Sequence, residues 1–126
     1  MKFHHIGVAC FNIKEEIENI SKIHEIIDAS EIVFDVTQKA NLCMLQTSEG
    51  VAIELISGDQ VANILKKRIT YYHIGFETED IDAEISRLIS LGAILVSEPK
   101  SAILFNDRKV AFLQVSYGLI ELIQAN

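Results

Sequence analysis

The sequence predicts an α+β fold built from two tandem copies of one βαβββ module. Three observations lead to this prediction. The tripeptide His-Ile-Gly occurs at residues 5–7 and again at 73–75, and a second, longer block repeats near the end of each half. Each half also shows the same order of one strand, one helix and three further strands. Because the repeated features keep their order, we interpret the chain as a duplication rather than as two chance matches.

The repeat extends well beyond the tripeptide. The stretch LQTSEGVAIELI at 45–56 matches LQVSYGLIELI at 113–123. The offset between the copies is 68 residues up to Gly50, and one residue inserted after Gly50 changes it to 67. A chain of 126 residues is too short for two independent cores. We therefore predict one domain, 1–126, and divide it into module one (1–57), a linking helix (58–69) and module two (70–126).

Each module is expected to open with a short strand that carries the histidine. The period of two in a strand puts Phe3, His5 and Gly7 on one face and His4 on the other. A helix follows in each module, with Asn12 and Asp80 as N-caps and Gly92 ending the second helix. Each helix has an apolar stripe spaced for one helical face. The first stripe is Ile13, Ile17, Ile20 and Ile27, and the second is Ile81, Ile85 and Leu88, which Leu91 would extend.

Three strands complete each module. Turn-forming residues separate apolar, alternating segments at about 31–36, 40–46 and 51–56, and at 94–97 with 101–105, 109–115 and 119–124. The connector between the modules has apolar residues at helical spacing and basic residues near its end, which predicts the linking helix.

Composition excludes several classes of function. A net charge of −7 is unsuited to a nucleic-acid-binding surface. No apolar run reaches the roughly 18 residues of a membrane helix, and the first residues lack the apolar core of a signal peptide. The sequence thus predicts a cytoplasmic protein without membrane or nucleic-acid partners. Cys10 and Cys43 lack the spacing of a zinc or redox motif, so we expect buried, reduced thiols.

Four residues at equivalent places in the two modules are candidate metal ligands. Glu54 and Glu121 lie in the middle of apolar IELI segments, where a carboxylate on a purely apolar face would be costly. Each module also contributes one strand histidine, His5 or His73. If pseudo-twofold symmetry relates the modules, two imidazoles and two carboxylates converge on a site suited to Zn, Ni, Co, Mn or Fe(II). His4, on the opposite strand face, and His24, late in the first helix, are interpreted as non-ligands.

The stretches HHIGVA, VAIELI, YYHIGFETEDIDAEISRLISLGAILVSEP and RKVAFLQVSYGLIELIQ resemble the vicinal oxygen chelate superfamily. That superfamily includes glyoxalase I, methylmalonyl-CoA epimerase, extradiol dioxygenases and bleomycin-resistance proteins, and the resemblance looks closest to the epimerase. It implies an open, cupped mixed sheet with a metal on its concave side, and a homodimer. Its ligand positions fall on His5, Glu54, His73 and Glu121.

The resemblance further implies a metal-dependent isomerase, epimerase or lyase that stabilises an enolate. The expected substrate is a small acyl thioester, 2-oxo acid or hemithioacetal, with Glu121 as the catalytic carboxylate. One position departs from the pattern. Thr37 stands where the epimerase has a glutamate base, and the nearest carboxylate is Asp35.

Two alternatives remain at the level of sequence. One is a non-catalytic protein of the same fold that sequesters a small molecule. The other is a dioxygenase, whose metal would need two histidines and one carboxylate as ligands and open coordination positions. Glu54 as a fourth ligand disfavours this alternative.

Overall fold

The computed structural model describes residues 1–126 and contains nine strands, three α-helices and two 3-10 helices. In chain order the strands and α-helices are β1 Lys2–Ala9, α1 Ile13–Ser21, β2 Ile26–Ala29, β3 Val33–Asp35, β4 Ala40–Thr47, β5 Ala52–Ser57, α2 Ala62–Lys66, β6 Tyr71–Thr78, α3 Ile81–Ser90, β7 Ile94–Ala102, β8 Arg108–Val115 and β9 Gly118–Gln124. The 3-10 helices are Asp59–Val61 and Ile103–Phe105. None of the helices has the length and apolarity needed to span a membrane.

The residues form two compact units. The N-terminal unit is His5–Tyr72, and the C-terminal unit is His73–Asn126 together with Met1–His4. In the second unit the ring of Phe3 packs edge-on against that of Phe76, with 6.4 Å between their centroids.

The N-terminal unit is a mixed sheet covered by one helix. Strands β2, β3 and β5 all run antiparallel to β4, and β5 runs parallel to β1. One face of this sheet packs on α1, because the helix presents Ile13, Ile17 and Ile20 to it. The core residues that meet the helix are Cys10, Cys43, Leu45, Ile53 and Leu55.

The C-terminal unit repeats this arrangement. Strand β6 runs parallel to β9, and β9, β8 and β7 follow as antiparallel neighbours. Helix α3 packs Ile81, Ile85 and Leu88 on one face of the sheet. The sheet residues of this core are Ala111, Leu113, Ile120 and Leu122. Each unit is an unclosed mixed sheet with few helices, so the predicted α+β class is confirmed.

The predicted helix signals are found in the structure. The side chain of Asn12 accepts a hydrogen bond from the backbone N–H of Glu15 at 2.9 Å, and Asp80 accepts one from Ala83 at 3.1 Å. These bonds satisfy amide groups that the first helical turn leaves without a partner. Gly92 follows α3 with a φ of +102°, a left-handed conformation that suits glycine at a helix end.

The predicted length of the first helix is wrong. Helix α1 ends at Ser21, and Ile27 lies in the short strand β2 with an exposed side chain. The β-branched pair at 26–27 joins β2, where Ile26 pairs with Thr47 of β4 and Ile27 lies at an irregularity of the ladder. His24 consequently lies beyond the helix, in the turn before β2, rather than late in the helix.

The strand predicted at 31–36 is also different in the structure. Two short strands, β2 and β3, pair with β4, and Ser30 lies between them. The hydroxyl of Ser30 accepts a hydrogen bond from the Met44 N–H at 2.8 Å, while the Ser30 N–H donates to the Met44 carbonyl at 2.8 Å. A side-chain oxygen therefore takes the place of a backbone carbonyl, which interrupts the regular ladder.

The segments 94–97 and 101–105, predicted together as one of the three strands, correspond to the single strand β7, followed by a 3-10 turn at Ile103–Phe105. Its pairing with β8 is irregular between Leu95 and Ser97 and between Ser97 and Lys100. Pro99 lies in the second irregular stretch. Proline has no N–H for the ladder, and an outer strand with a bulge tolerates it without ending the strand.

Two further predictions concern the cysteines and the connector. Cys10 and Cys43 are buried free thiols, as predicted. Burial, followed by the nearby Glu16 carboxylate, raises the pKa of Cys10 to about 11, so this thiol stays protonated at neutral pH. The connector is helical but short, with Val61 and Leu65 as its buried residues.

An ion pair in the C-terminal unit should make stability depend on pH. Arg108 donates a hydrogen bond to Glu77 at 2.8 Å, and this bond holds the pKa of the Glu77 carboxyl below its usual value. A carboxyl whose pKa falls on folding stabilises the protein above its unfolded pKa of about 4.3, and the gain is lost as pH falls through the folded pKa. We expect Glu77→Gln to cost on the order of 1 kcal/mol at pH 7 and much less near pH 3, in thermal unfolding at both pH values.

Glu79→Gln provides the control, since it makes the same change at an exposed neighbouring position. Equal destabilisation by Glu77→Gln at pH 7 and pH 3 would contradict the prediction.

Candidate metal centre

The two histidines of the repeated tripeptide occupy equivalent positions in β1 and β6. Both are buried, His5 completely and His73 almost so. Burial alternates along β1, with His5 and Gly7 buried and His4 only half-buried, as the strand period predicts. The ring of His4 packs edge-on against Phe105, 5.6 Å between centroids. His4 and His5 therefore have different surroundings although they are adjacent.

The two glutamates are buried in the closing strands β5 and β9, with 3% of Glu54 and 1% of Glu121 exposed. Neighbouring residues in β5, Ile53 and Leu55, pack toward α1, so Glu54 lies on the opposite face of the sheet. In the C-terminal unit, β9 repeats this alternation, because the residues on both sides of Glu121 pack toward α3. Each unit thus buries one carboxylate on the face that its helix does not cover.

Within each unit the histidine meets the glutamate. His5 Nε2 lies 3.3 Å from Glu54 Oε1, and His73 Nε2 lies 3.4 Å from Glu121 Oε1. The parallel pairing of the two strands brings them together, since Gly7 is the register partner of Glu54 and the histidine lies two residues earlier on the same face. The C-terminal unit has the same register at Gly75.

The glycine of the tripeptide is the functional position that sequence reasoning did not single out. Gly7 is directly beside Glu54, and Gly75 is directly beside Glu121, each on the strand face of its histidine. A side chain there would occupy the space next to the carboxylate. The sequence contained one indication of this position. The strand period of two puts the first and third residues of His-Ile-Gly on one face, so the glycine shares the face of its histidine.

We expect Gly75→Val to weaken binding of added Zn²⁺ by at least about tenfold, because the isopropyl group would displace the Glu121 carboxylate from His73. The strand conformation accepts valine, so the fold should be retained. Competition against a chromogenic chelator measures the affinity. Ile74→Val is the control, since it alters volume on the other strand face. Similar losses in the two variants would contradict this role for the glycine.

The separations fit two ligands of one ion. A nitrogen and an oxygen that are each about 2.0–2.2 Å from a divalent ion lie roughly 3.0–3.5 Å apart at the usual coordination angles. The His–Glu distances of 3.3 and 3.4 Å fall in this range. Imidazole and carboxylate donors suit zinc and other first-row divalent ions. Each unit thus holds one buried His–Glu pair whose donors could bind a metal ion.

Apolar neighbours surround each pair. The ring of Phe112 packs edge-on against His73, with 5.3 Å between centroids, and Phe112 is also the β8 register partner of Glu121. In the N-terminal unit, Met44 is the register partner of Glu54. Such neighbours lower the local dielectric constant, which strengthens the interaction between a carboxylate and a cation.

The comparison with protein families gives a match over most of the chain. A family model described as the glyoxalase/bleomycin resistance protein/dioxygenase superfamily matches residues 4–112, which is most of the chain. The chain belongs to this superfamily. The resemblance predicted from the repeated motifs is therefore confirmed.

Solved structures share the superfamily fold across nearly the whole chain. A methylmalonyl-CoA epimerase from Mycobacterium tuberculosis superposes with a TM-score of 0.84 at 22% identity, covering 99% of this chain and 88% of that one. A hypothetical protein from Bacillus halodurans has a TM-score of 0.77 at 22% identity, with coverages of 99% and 94%. A variant of the Streptomyces coelicolor methylmalonyl-CoA epimerase has a TM-score of 0.72 at 22% identity, with coverages of 99% and 97%. The comparison with curated proteins found no match.

Thr37 is the residue predicted to stand where the epimerases of this superfamily have a glutamate base. It lies in the turn between β3 and β4 and is exposed. Asp35 is buried just before this turn, and its Oδ1 accepts hydrogen bonds from the backbone N–H groups of Thr37, at 2.9 Å, and Gln38, at 3.1 Å. One oxygen of Asp35 is thus committed to shaping the turn. The other oxygen, Oδ2, is buried without a hydrogen-bond partner.

Proposed function

We propose that the protein is a divalent-metal-dependent isomerase, epimerase or lyase that stabilises an enolate. The substrate class is a small acyl thioester, 2-oxo acid or hemithioacetal. The observation that carries this proposal is the presence of one buried His–Glu pair in each unit, at equivalent positions and with separations of 3.3 and 3.4 Å.

In this proposal His5, Glu54, His73 and Glu121 hold one ion between them. The ion, when bound, supplies a Lewis acid that stabilises negative charge on a substrate oxygen. The four donors carry two negative charges when both glutamates are ionised, which matches a divalent cation. Each ligand lies on a β-strand, and such rigid supports hold ligands more precisely than loops do.

Proton transfer is assigned to Glu121. Its carboxylate would take the proton from the carbon next to the substrate carbonyl and return it to the same or a neighbouring carbon. Its burial and the adjacent Phe112 ring keep competing water away from the carboxylate. Gly75 is the β6 register partner of Glu121, so no β6 side chain stands beside the carboxylate at this position.

The fold neighbours favour an acyl thioester within this substrate class. Methylmalonyl-CoA epimerases with this fold have been solved with methylmalonyl-CoA and with 2-nitronate-propionyl-CoA. Thr37 differs from the glutamate expected of the epimerases, so we propose proton transfer on one face of the substrate rather than two-base epimerisation.

A second candidate is a non-catalytic small-molecule-binding protein of the same superfamily. The observation that favours it is Thr37 itself, because a hydroxyl is a poor base. Metal content separates the two candidates. Protein purified without chelator should carry about one divalent ion per chain if the enzyme proposal is correct. Absence of bound ion, even after incubation with Zn²⁺, Co²⁺, Ni²⁺ or Mn²⁺, would favour the binding protein.

Activity then tests the reaction class. The metal-loaded protein should catalyse exchange of the α-proton in 2-substituted acyl thioesters, 2-oxo acids or glutathione hemithioacetals. Failure with every substrate and every metal would refute the enzyme proposal even if the ion binds. We also propose a cytoplasmic homodimer, and a solution mass equal to one chain would contradict the dimer.

A further inference from the structure

The two units differ where the helix end meets the last hairpin. In the N-terminal unit, His24 follows α1 and Glu49 lies in the turn between β4 and β5. His24 Nδ1 is 2.6 Å from Glu49 Oε1, and the nearby Ser48 N–H donates to the Glu25 carbonyl at 2.9 Å. A polar bridge therefore joins the helix end to the hairpin in this unit.

The repeat offset of 68 residues places Gly92 at the position of His24 and Tyr117 at that of Glu49. Neither residue can reproduce the ion pair, since glycine has no side chain and the tyrosine carries no opposite charge. The corresponding region of the C-terminal unit contains a cavity of about 500 Å³. Its lining side chains include Leu88, Leu91, Ile94, Val115, Tyr117 and Ile120.

The lining of this cavity is predominantly apolar. No aspartate, glutamate, lysine or arginine side chain contributes to it, and the polar side chains are Gln114, Ser116 and the Tyr117 hydroxyl. Leu91 is 71% exposed, and Ile94 and Tyr117 are each 66% exposed. Water therefore contacts this apolar surface, and a bound ligand would displace that water. A volume of this size lies within the range of about 300–1,000 Å³ seen for small-molecule sites.

The cavity is separate from the His73–Glu121 pair. Ile120 lines the cavity and belongs to the core beside α3, while its neighbour Glu121 lies on the opposite face of β9. A molecule in the cavity would contact the helix side of the sheet. It would not touch the carboxylate.

We propose that this cavity binds an uncharged, mainly apolar small molecule, such as a compound of one or two rings. The side chains of Leu91, Ile94 and Tyr117 cover its apolar body, and Ser116 or Gln114 meets a polar atom at its edge. Met1 also lines the cavity, but no basic side chain does, and the net charge of −7 further disfavours an anionic ligand.

The experiment uses N-phenyl-1-naphthylamine, an uncharged two-aromatic-group fluorophore whose emission rises in apolar surroundings. Titration into the full-length protein should show saturable binding of one molecule per chain. Leu91→Lys and Tyr117→Glu should each weaken binding by about tenfold or more, because a charge would enter the apolar site. Both residues are largely exposed, so these variants should fold.

Ile23→Lys is the matched control. Ile23 of the N-terminal unit is the repeat equivalent of Leu91 and is 76% exposed. It directly precedes His24, which pairs with Glu49. This variant should keep the parent affinity within about twofold.

Three results would overturn the proposal. The first is no saturable binding by the parent protein, and the second is equal loss of binding in the Ile23→Lys and Leu91→Lys variants. The third is weakening of probe binding as the protein is concentrated, which would show that a second copy of the chain fills the cavity. Retained metal binding in Leu91→Lys would support a site separate from the His–Glu pairs, and joint loss of both would overturn that separation.

Discussion

Replacing His73 by alanine, or Glu121 by glutamine, is expected to remove most of the affinity for a divalent metal ion, a loss of more than about 100-fold. The physical reason is that each change deletes one donor from a set of four on rigid strands, and the remaining donors cannot shift to compensate without moving a strand. His73 and Glu121 are both buried, so water does not readily take the vacated position. Competition with a chelator of known affinity measures the effect.

His4→Ala and His24→Ala are the controls for this prediction, and both should leave metal affinity nearly intact. His4 packs against Phe105, and His24 pairs with Glu49 at a site in the turn after α1. If His4→Ala lost the metal as completely as His73→Ala, the assignment of strand faces would be wrong by one residue. Measurement of unfolding in parallel distinguishes a lost ligand from a lost fold.

Solvent deuterium is expected to enter the α-carbon of a 2-substituted acyl thioester from one face only, with slow or absent racemisation. Glu121 can serve one face, whereas Thr37 presents a hydroxyl in an exposed turn where a second base would be needed. Glu121→Gln should abolish the exchange, because it removes both a metal ligand and the general base, and a general base alone contributes about 10²–10⁴-fold to rate. Nuclear magnetic resonance of the product, with chiral analysis, gives both rate and stereochemistry.

Thr37→Glu should raise any epimerase activity of the metal-loaded protein, because it restores a carboxylate at the second face. Thr37→Gln is the matched control, as it has nearly the same size without the charge. Fast exchange from both faces in the parent protein would refute the one-base mechanism. Asp35 would then need testing, although its Oδ1 already accepts two backbone hydrogen bonds in the turn.

The repeated module was predictable because its evidence is local. The caps Asn12 and Asp80, and Gly92 at a helix end, act within one helical turn, and their hydrogen bonds are those expected from the residue types. The face of His5 and the placement of Glu54 opposite its apolar neighbours Ile53 and Leu55 also follow from strand alternation, which holds whatever the partner strand is. These features needed no knowledge of distant residues.

The interrupted strands depended on contacts that are remote in sequence. Ser30 exchanges two hydrogen bonds with Met44, and this pairing separates β2 from β3, whereas a single strand was predicted at 31–36. The end of α1 at Ser21 likewise reflects tertiary pairing, because Ile27 fits the helical stripe but lies in β2, next to Ile26, which pairs with Thr47 of β4. Propensity is a weak prior that such tertiary pairing overrides.

The sequence by itself therefore determined the α+β modules and one His–Glu pair in each unit, since periodicity and repetition select residues regardless of their three-dimensional partners. Only the tertiary structure decided the register that sets Gly7 beside Glu54 and Gly75 beside Glu121, because register depends on how two separate strands align. It also decided that His24 pairs with Glu49 after the first helix, while the equivalent Gly92 and Tyr117 line a cavity in the other unit. An ion pair and a cavity both arise from side chains that are about 25 residues apart in the chain, and no local pattern encodes that distance.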